Sequence, residues 1–216
     1  MNNTTSPKFG GISLLKTLRA LVPPRPLSYR EAERIAELQA SRFRELLGVT
    51  QAELPEVAIS DLPRLHVTRE YDLPVSGLAQ WSNGRWLVAL NGNEPPARRR
   101  FSLAHELFHI INHTTGAQMH PDLPSQPGIL KAERLADYFA GCLLMPKRHV
   151  KRLSGEGRGL ELLADEFSVS PRAMQVRLSQ LGLVEPVPRC VRIDIGWKGR
   201  RNIYHRVSVT AERVSA

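Results

Sequence analysis

The apolar positions of this chain change period three times. Ala32, Ile35, Ala36, Leu38, Phe43, Leu46 and Leu47 recur at three- and four-residue spacing, which predicts a helix over about Ser28 to Leu47. Ser28 and Glu31 supply an S-x-x-E capping box at its start, and Gly48 supplies a cap at its end. From Leu54 to Asn93 the pattern shortens, with Pro55, Pro63 and Pro74 as punctuation, and the region reads as strands. Leu65 to Val67 alternate, and Asn83-Gly84 between Leu78–Trp81 and Trp86–Leu90 predicts a β-hairpin. Helical spacing returns at Phe101 to Asn112, at about Ala132 to Leu144, at Leu160 to Phe167 and at Pro171 to Leu181. The proline-rich stretch Met119 to Gly128 reads as a loop, while Ser170 and Pro171 cap and open the last helix and Gly182 closes it. Cys190 to Ile195 and Ile203 to Val209, around Gly199, predict a terminal β-hairpin.

This succession predicts an α+β fold in which a small antiparallel sheet with its hairpin precedes the main helices, and a C-terminal helical pair and β-hairpin appendage follow. The expected organisation is a basic N-terminal segment with a Pro-rich connector over 1–27, a main domain over 28–183 including the helical pair 160–182, and a basic appendage over 184–216.

Composition narrows the class. With 42% hydrophobic and 24% charged residues in a chain of 216, collagenous, coiled-coil and disordered classes are excluded. Lys and Arg number 30 against 21 Asp and Glu, giving +9, and the excess is uneven: 16 basic and 14 acidic residues precede Pro146, whereas 14 and 7 follow it. The basic last third permits a weak or indirect nucleic-acid partner without establishing one. Lys16 and Arg19 break the early apolar stretch Ile12 to Val22, so the reading has no membrane span and no secretory signal, only a basic tail with one docking helix. Cys142 and Cys190 lie in no C-x-x-C pair, which fits a reducing cytoplasm, and Cys142 within an apolar helical run reads as a packing residue.

The chemistry concentrates at His105-Glu106-Leu107-Phe108-His109, an H-E-x-x-H on a predicted helix. Residues four apart share a face, so two imidazoles can approach one Zn²⁺, while Glu106 can reach a water on the open side of the metal and act as general base. With seven histidines in the chain, the pentapeptide arises by chance in roughly one such chain in a hundred, and its bland alternative is a pair of solvated or core histidines. A third ligand decides between them. His113 lies about 12 Å of helical rise from His105, too far for one tetrahedral site. Thr115 stands where the metzincin pattern requires histidine. Glu133 on the next helix is the better choice, with His120 in the loop as the alternative; Asp137, one turn after Glu133, is placed to receive the free N–H of a ligating imidazole. Tyr71, His113, His120 and Tyr138 are all candidates for stabilising an oxyanion, and the sequence does not choose among them.

Two blocks carry a family resemblance: Arg100-Phe101-Ser102-Leu103-Ala104 leading into the H-E-x-x-H, and Glu133-Arg134-Leu135-Ala136-Asp137-Tyr138-Phe139-Ala140 with Leu143-Leu144-Met145-Pro146. They resemble the ImmA/IrrE family of metallo-endopeptidases, over roughly residues 29–183. The resemblance implies a zincin-like core and a cytoplasmic zinc peptidase that clips a transcriptional repressor, with His105, His109 and Glu133 on zinc and Glu106 as base. Two positions depart from the family pattern: Phe108 stands where glycine is usual, which implies a narrowed cleft, and Asp137 where asparagine is usual.

A reading from another class rests on the helical pair Leu160–Phe167 and Pro171–Leu181, which has the length of a helix-turn-helix and would present Arg172, Gln175, Arg177 and Gln180 to bases. Against it, Glu161, Asp165 and Glu166 place three acids where phosphates would lie, and Leu162, Leu163, Phe167, Val176 and Leu178 equally describe packing onto a peptidase core.

Overall fold

A computed structural model describes residues 13–183. The elements run α1 (Leu14–Arg19), α2 (Tyr29–Leu46), α3 (Val57–Ser60), β1 (Leu65–Glu70), β2 (Gly77–Ser82), β3 (Arg85–Asn91), α4 (Pro96–Asn112), α5 (Gly116–Met119), α6 (Gln126–Leu144), α7 (Lys147–Gly155), α8 (Leu160–Glu166) and α9 (Pro171–Gln180). The terminal hairpin expected around Gly199 and the appendage 184–216 lie outside the described residues.

The capping box forms as expected: the Glu31 amide donates to Ser28 Oγ at 3.4 Å, and the Ser28 amide donates to Glu31 Oε2 at 2.9 Å. The hairpin turns at Asn83 (φ 49°) and Gly84 (φ 77°), two successive positive φ values that define a type I′ turn and explain the Asn-Gly pair. The sheet corrects an expectation. Its order is β1-β3-β2, with β2 antiparallel to β3 but β1 parallel to β3, so it is mixed and not antiparallel. The link from β1 to β3, residues 71–84 with β2 inside it, carries no sequence mark of that crossing.

Helix boundaries differ where proline occupies the first turn. Helix α6 begins at Gln126 and not near Ala132, because Ser125 Oγ accepts from the Gly128 amide and Pro127 fits the first turn. Helix α4 begins five residues early, at Pro96, and α3 and α7 were not anticipated, α3 falling in a region read as strands.

Three helices and the inner face of the sheet enclose the core. Ala32, Ala36 and Ala40 form a small-residue stripe on α2, and α6 lays Leu135, Ala136, Phe139, Ala140 and Leu143 against it, all fully buried. Trp86, Val88 and Leu90 alternate inward from β3 beneath α4. A reciprocal amide pair ties α2 to α4 in this interior: Gln39 Nε2 donates to Asn112 Oδ1 at 2.9 Å, and Asn112 Nδ2 donates to Gln39 Oε1 at 3.1 Å. Helix α1 seals the far end of α4, with Leu14 and Leu18 buried and the Arg19 guanidinium donating to the carbonyls of Ile111 (2.7 Å) and Ile110 (2.9 Å). Residues 14–27 therefore belong to the same hydrophobic cluster as the main domain.

The helical pair packs inward at Leu163, Phe167 and Met174, while Leu162 and Val176 are exposed. Arg177, one of the residues a base-reading helix would need, is 1% exposed and donates through Nε to the Met145 carbonyl at 3.0 Å. It is a core residue.

Candidate metal centre

Helix α4 buries two adjoining faces. Leu103, Ala104, Leu107, Phe108, Ile110 and Ile111 fill the core, which leaves His105 and His109, four residues apart, on the rim toward α6. Helix α6 faces that rim with Glu133 and Asp137, also four apart, and the packing of α4 on α6 brings the two pairs together. His105 Nε2 and His109 Nε2 lie 3.1 Å apart, Glu133 Oε2 lies 3.3 Å from the first, and Glu133 Oε1 lies 3.6 Å from the second. Four ligands held tetrahedrally about 2.05 Å from one ion are separated by about 3.3 Å, so the three donors already outline one face of such a site. Among the described residues His105, His109 and Glu133 form a group whose ligand atoms lie within 4.8 Å of one another.

The donor chemistry fits a cation as well. Asp137 Oδ1 accepts from His105 Nδ1 at 2.9 Å, which leaves the Nε2 lone pair of the neutral ring facing the other donors. Burial works against charge on His105, but Asp137, by its hydrogen bond and its charge, together with Glu106 and Glu133, outweighs it and raises the pKa. The same three carboxylates would stabilise a metal ion at that ring. Burial, with His105 and His120 nearby, pushes His109 down to about 4, so that ring is neutral and its lone pair free at neutral pH.

Glu106 points elsewhere. Its carboxylate lies beside the Ala79 amide of β2, and a Cβ built on Gly77 would stand 3.3 Å from its Cγ and Oε1. Glycine at 77 therefore gives this side chain its room. Burial, and the charge of Glu133, raise the Glu106 pKa above the ordinary carboxylate range, although His105 and the Ala79 amide pull the other way. Pairing of β2 with β3 leaves the amides and carbonyls of Gly77, Ala79 and Trp81 directed to the free edge, because the turn at 83–84 makes Ser82–Arg85, Gln80–Leu87 and Leu78–Ala89 the hydrogen-bonded pairs. The edge strand and Glu106 thus share one cleft wall.

The other sequence candidates separate. The His113 ring meets Trp86 edge-on at 5.1 Å, the Tyr138 hydroxyl donates to Glu37 Oε2 at 3.4 Å, and Tyr71 lies against Gly92, so these three are engaged away from the ligand group. His120 stays near it, beside the Phe108 ring at 6.1 Å between centroids, and burial lowers its pKa. It is not among the clustered donors. Phe108 does not narrow the cleft: it is fully buried, 5.3 Å from Phe139 between ring centroids, and stands in the core behind the ligands. Two features of the site had no sequence signal: the approach of Ala79 to Glu106 needs the sheet to be assembled, and Arg100, buried, ties the site's helix to the carbonyls of Leu54 (2.6 Å) and Ser168 (2.7 Å).

An α+β domain that brings an H-E-x-x-H helix and a carboxylate-bearing helix onto one prospective metal defines a metallopeptidase class of site. Residues 64–179 match the IrrE N-terminal-like domain, Peptidase_M78, and the chain belongs to that family. No curated protein matches the chain. A solved structure described as a Mycobacterium tuberculosis transcriptional regulator shares the fold, with a TM-score of 0.55 and 18% identity over 78% of this chain; the chain spans 52% of that structure's length. Among the described residues no helix is long and apolar enough to cross a membrane.

Proposed function

We propose that this chain is a cytoplasmic, zinc-dependent endopeptidase with a zincin-like core, and that its substrate is a regulatory protein, a transcriptional repressor. The observation that carries the proposal is the convergence of His105, His109 and Glu133 beside a separately held carboxylate, Glu106. Zinc held by those three residues would supply Lewis acidity toward the scissile carbonyl. Glu106, with its carboxylate beside the Ala79 amide and its pKa raised by burial, accepts the proton of the attacking water and returns it to the departing amine. Asp137 fixes the tautomer and the orientation of His105. The outward amides and carbonyls of Gly77 and Trp81 pair with an extended substrate segment, giving main-chain affinity with little dependence on sequence.

A repressor as substrate is what the family resemblance implies, and the description of the fold-sharing protein as a transcriptional regulator is compatible with it. Incubation of the zinc-loaded chain with a candidate transcriptional repressor from its gene neighbourhood tests the reading. Cleavage that disappears in Glu106→Gln supports it, and an intact repressor after incubation with the zinc-loaded protein counts against it.

A further inference from the structure

Away from the ligand group, a cavity of about 740 Å³ opens where α2 meets the first turn of α7. Its walls carry six cations, Arg34, Arg44, Lys147, Arg148, Lys151 and Arg177, against two carboxylates, Glu37 and Glu45. Glu45 is already paired with Arg42 at 3.0 Å. Glu37 approaches Arg177 Nη2 only to 3.7 Å, beyond hydrogen-bond reach. Among the described residues no ion pair within 4.0 Å engages Arg34, Lys147, Arg148 or Lys151, while the buried Arg44 guanidinium donates to the carbonyls of Leu143, Gln51 and Ala52 and contributes only its charge.

One buried donor in the walls lacks a hydrogen-bond acceptor. Arg177, 1% exposed, uses Nε on the Met145 carbonyl and Nη1 on Gln180, but its Nη2 has no hydrogen-bond acceptor. His149 Nε2 donates to the Thr50 carbonyl at 2.8 Å, so its buried Nδ1 carries a lone pair and is an acceptor, which adds nothing to the donor set. Helix α7 adds backbone donors: Pro146 offers no side-chain cap, and the Lys147 and Arg148 amides have no backbone acceptor. An unsatisfied buried donor is uncommon because it costs about 1–3 kcal/mol, so one that shares a recess with an uncapped helix start and a cluster of cations points to an anion that satisfies them together. The local field agrees. Burial and the neighbouring Arg148 push the Arg44 guanidinium down to about 10, and burial with Arg148, Arg44 and Arg152 lowers His149 despite its bond to Thr50.

We propose that this cavity is a binding site for a small phosphorylated molecule bearing at least two negative charges. A single carboxylate has too little charge and too few oxygens for the donors present, whereas phosphate groups accept from guanidinium, ammonium and helix amides at once. A nucleic-acid backbone crossing the rim would meet Lys147, Arg148 and Lys151 but would not descend to Arg177. The Cys142 thiol in the wall takes no part, since burial first, with Glu37, pushes it up to about 11 and keeps it protonated. The site shares no residue with the metal ligands, and the proposal does not depend on proteolysis.

Calorimetric titration of the full chain with inorganic pyrophosphate at physiological ionic strength tests it. Saturable one-to-one binding is expected, weakened about ten-fold or more in Lys147→Gln/Arg148→Gln, whose two side chains are exposed and whose replacement leaves the melting temperature of the free protein unchanged. Glu133→Ala removes a prospective metal ligand and should leave the affinity as it was. Absence of saturable binding, a loss in Glu133→Ala with none in the double variant, or displacement of bound pyrophosphate by random duplex DNA would each overturn the proposal.

Discussion

Asp137 Oδ1 holds His105 Nδ1 at 2.9 Å, one helical turn from Glu133, so a single face of α6 presents both a prospective ligand and the residue that orients the opposing one. Removal of this partner should weaken metal binding without altering the ligand set. Asp137→Ala is expected to lower zinc affinity about 10- to 100-fold, read by competition with a chromophoric chelator, whereas Asp137→Asn keeps an acceptor oxygen and loses less. Equal losses in the two variants would deny the hydrogen bond its role.

The ligand group predicts stoichiometry. Wild-type protein is expected to carry one zinc, and His105→Ala, His109→Ala and Glu133→Ala each to lose it at moderate chelator concentration, since three donors with separations of 3.1 to 3.6 Å leave no redundancy. Metal content of the purified variants settles the matter. Full retention in Glu133→Ala would shift attention to His120.

Glu106→Gln separates binding from chemistry. The amide retains the shape and still fits beside Gly77, but it takes no proton from water, so metal content and melting temperature should persist while cleavage falls by about 10²-fold or more. Cleavage at the wild-type rate would remove Glu106 from the proposed mechanism.

Phe108→Ala tests where that ring belongs. Fully buried against Phe139, it should cost about 3–5 kcal/mol on truncation, seen as a lower urea midpoint with little change in slope. A cleft residue would instead change substrate turnover and spare stability.

Glu31 predicts an acid-sensitive helix start. The Arg25 guanidinium, then the Ser28 amide and hydroxyl, hold its carboxyl at about 2, below its ordinary 4.5. A group with a lowered folded-state pKa stabilises above its unfolded pKa, so this contribution is complete at neutral pH and fades as pH falls from about 4.5 toward 2. Glu31→Gln should flatten that segment of the stability-pH curve, and Ser28→Ala should cost about 1 kcal/mol at neutral pH. Parallel curves for Glu31→Gln and wild type would deny the pairing any thermodynamic weight.

Local rules made much of the chain readable in advance. The capping box at Ser28, the Asn83-Gly84 turn and the four-residue spacing of His105 and His109 each express chemistry complete within a few residues, and each stands in the structure where the pattern puts it. What was hidden depends on distant partners. The parallel direction of β1 is fixed by how the intervening chain crosses, not by Leu65 to Val67 themselves. Arg177 reads as a solvent-facing cation on an amphipathic helix, and only the assembled fold turns it inward to the Met145 carbonyl. Phe108 likewise reads as a cleft residue when judged beside its histidine neighbours, yet the core claims it. Ser125 escaped notice because Pro124 and Pro127 around it suggested a loop, although proline is tolerated in the first turn it caps.

The contact from Arg19 to the last carbonyls of α4 reaches beyond packing. Residues 64–179, the stretch shared with the family, contain both ends of the ligand helix but neither the guanidinium that closes one end nor the alanine stripe on which α6 rests. An excised fragment of that length would leave Ile110 and Ile111 with unanswered acceptors and strip one side from Leu135 and Phe139. Heritable similarity and autonomy of folding thus have different borders in this molecule, and a stable piece has to include α1 and α2, upstream of the shared stretch.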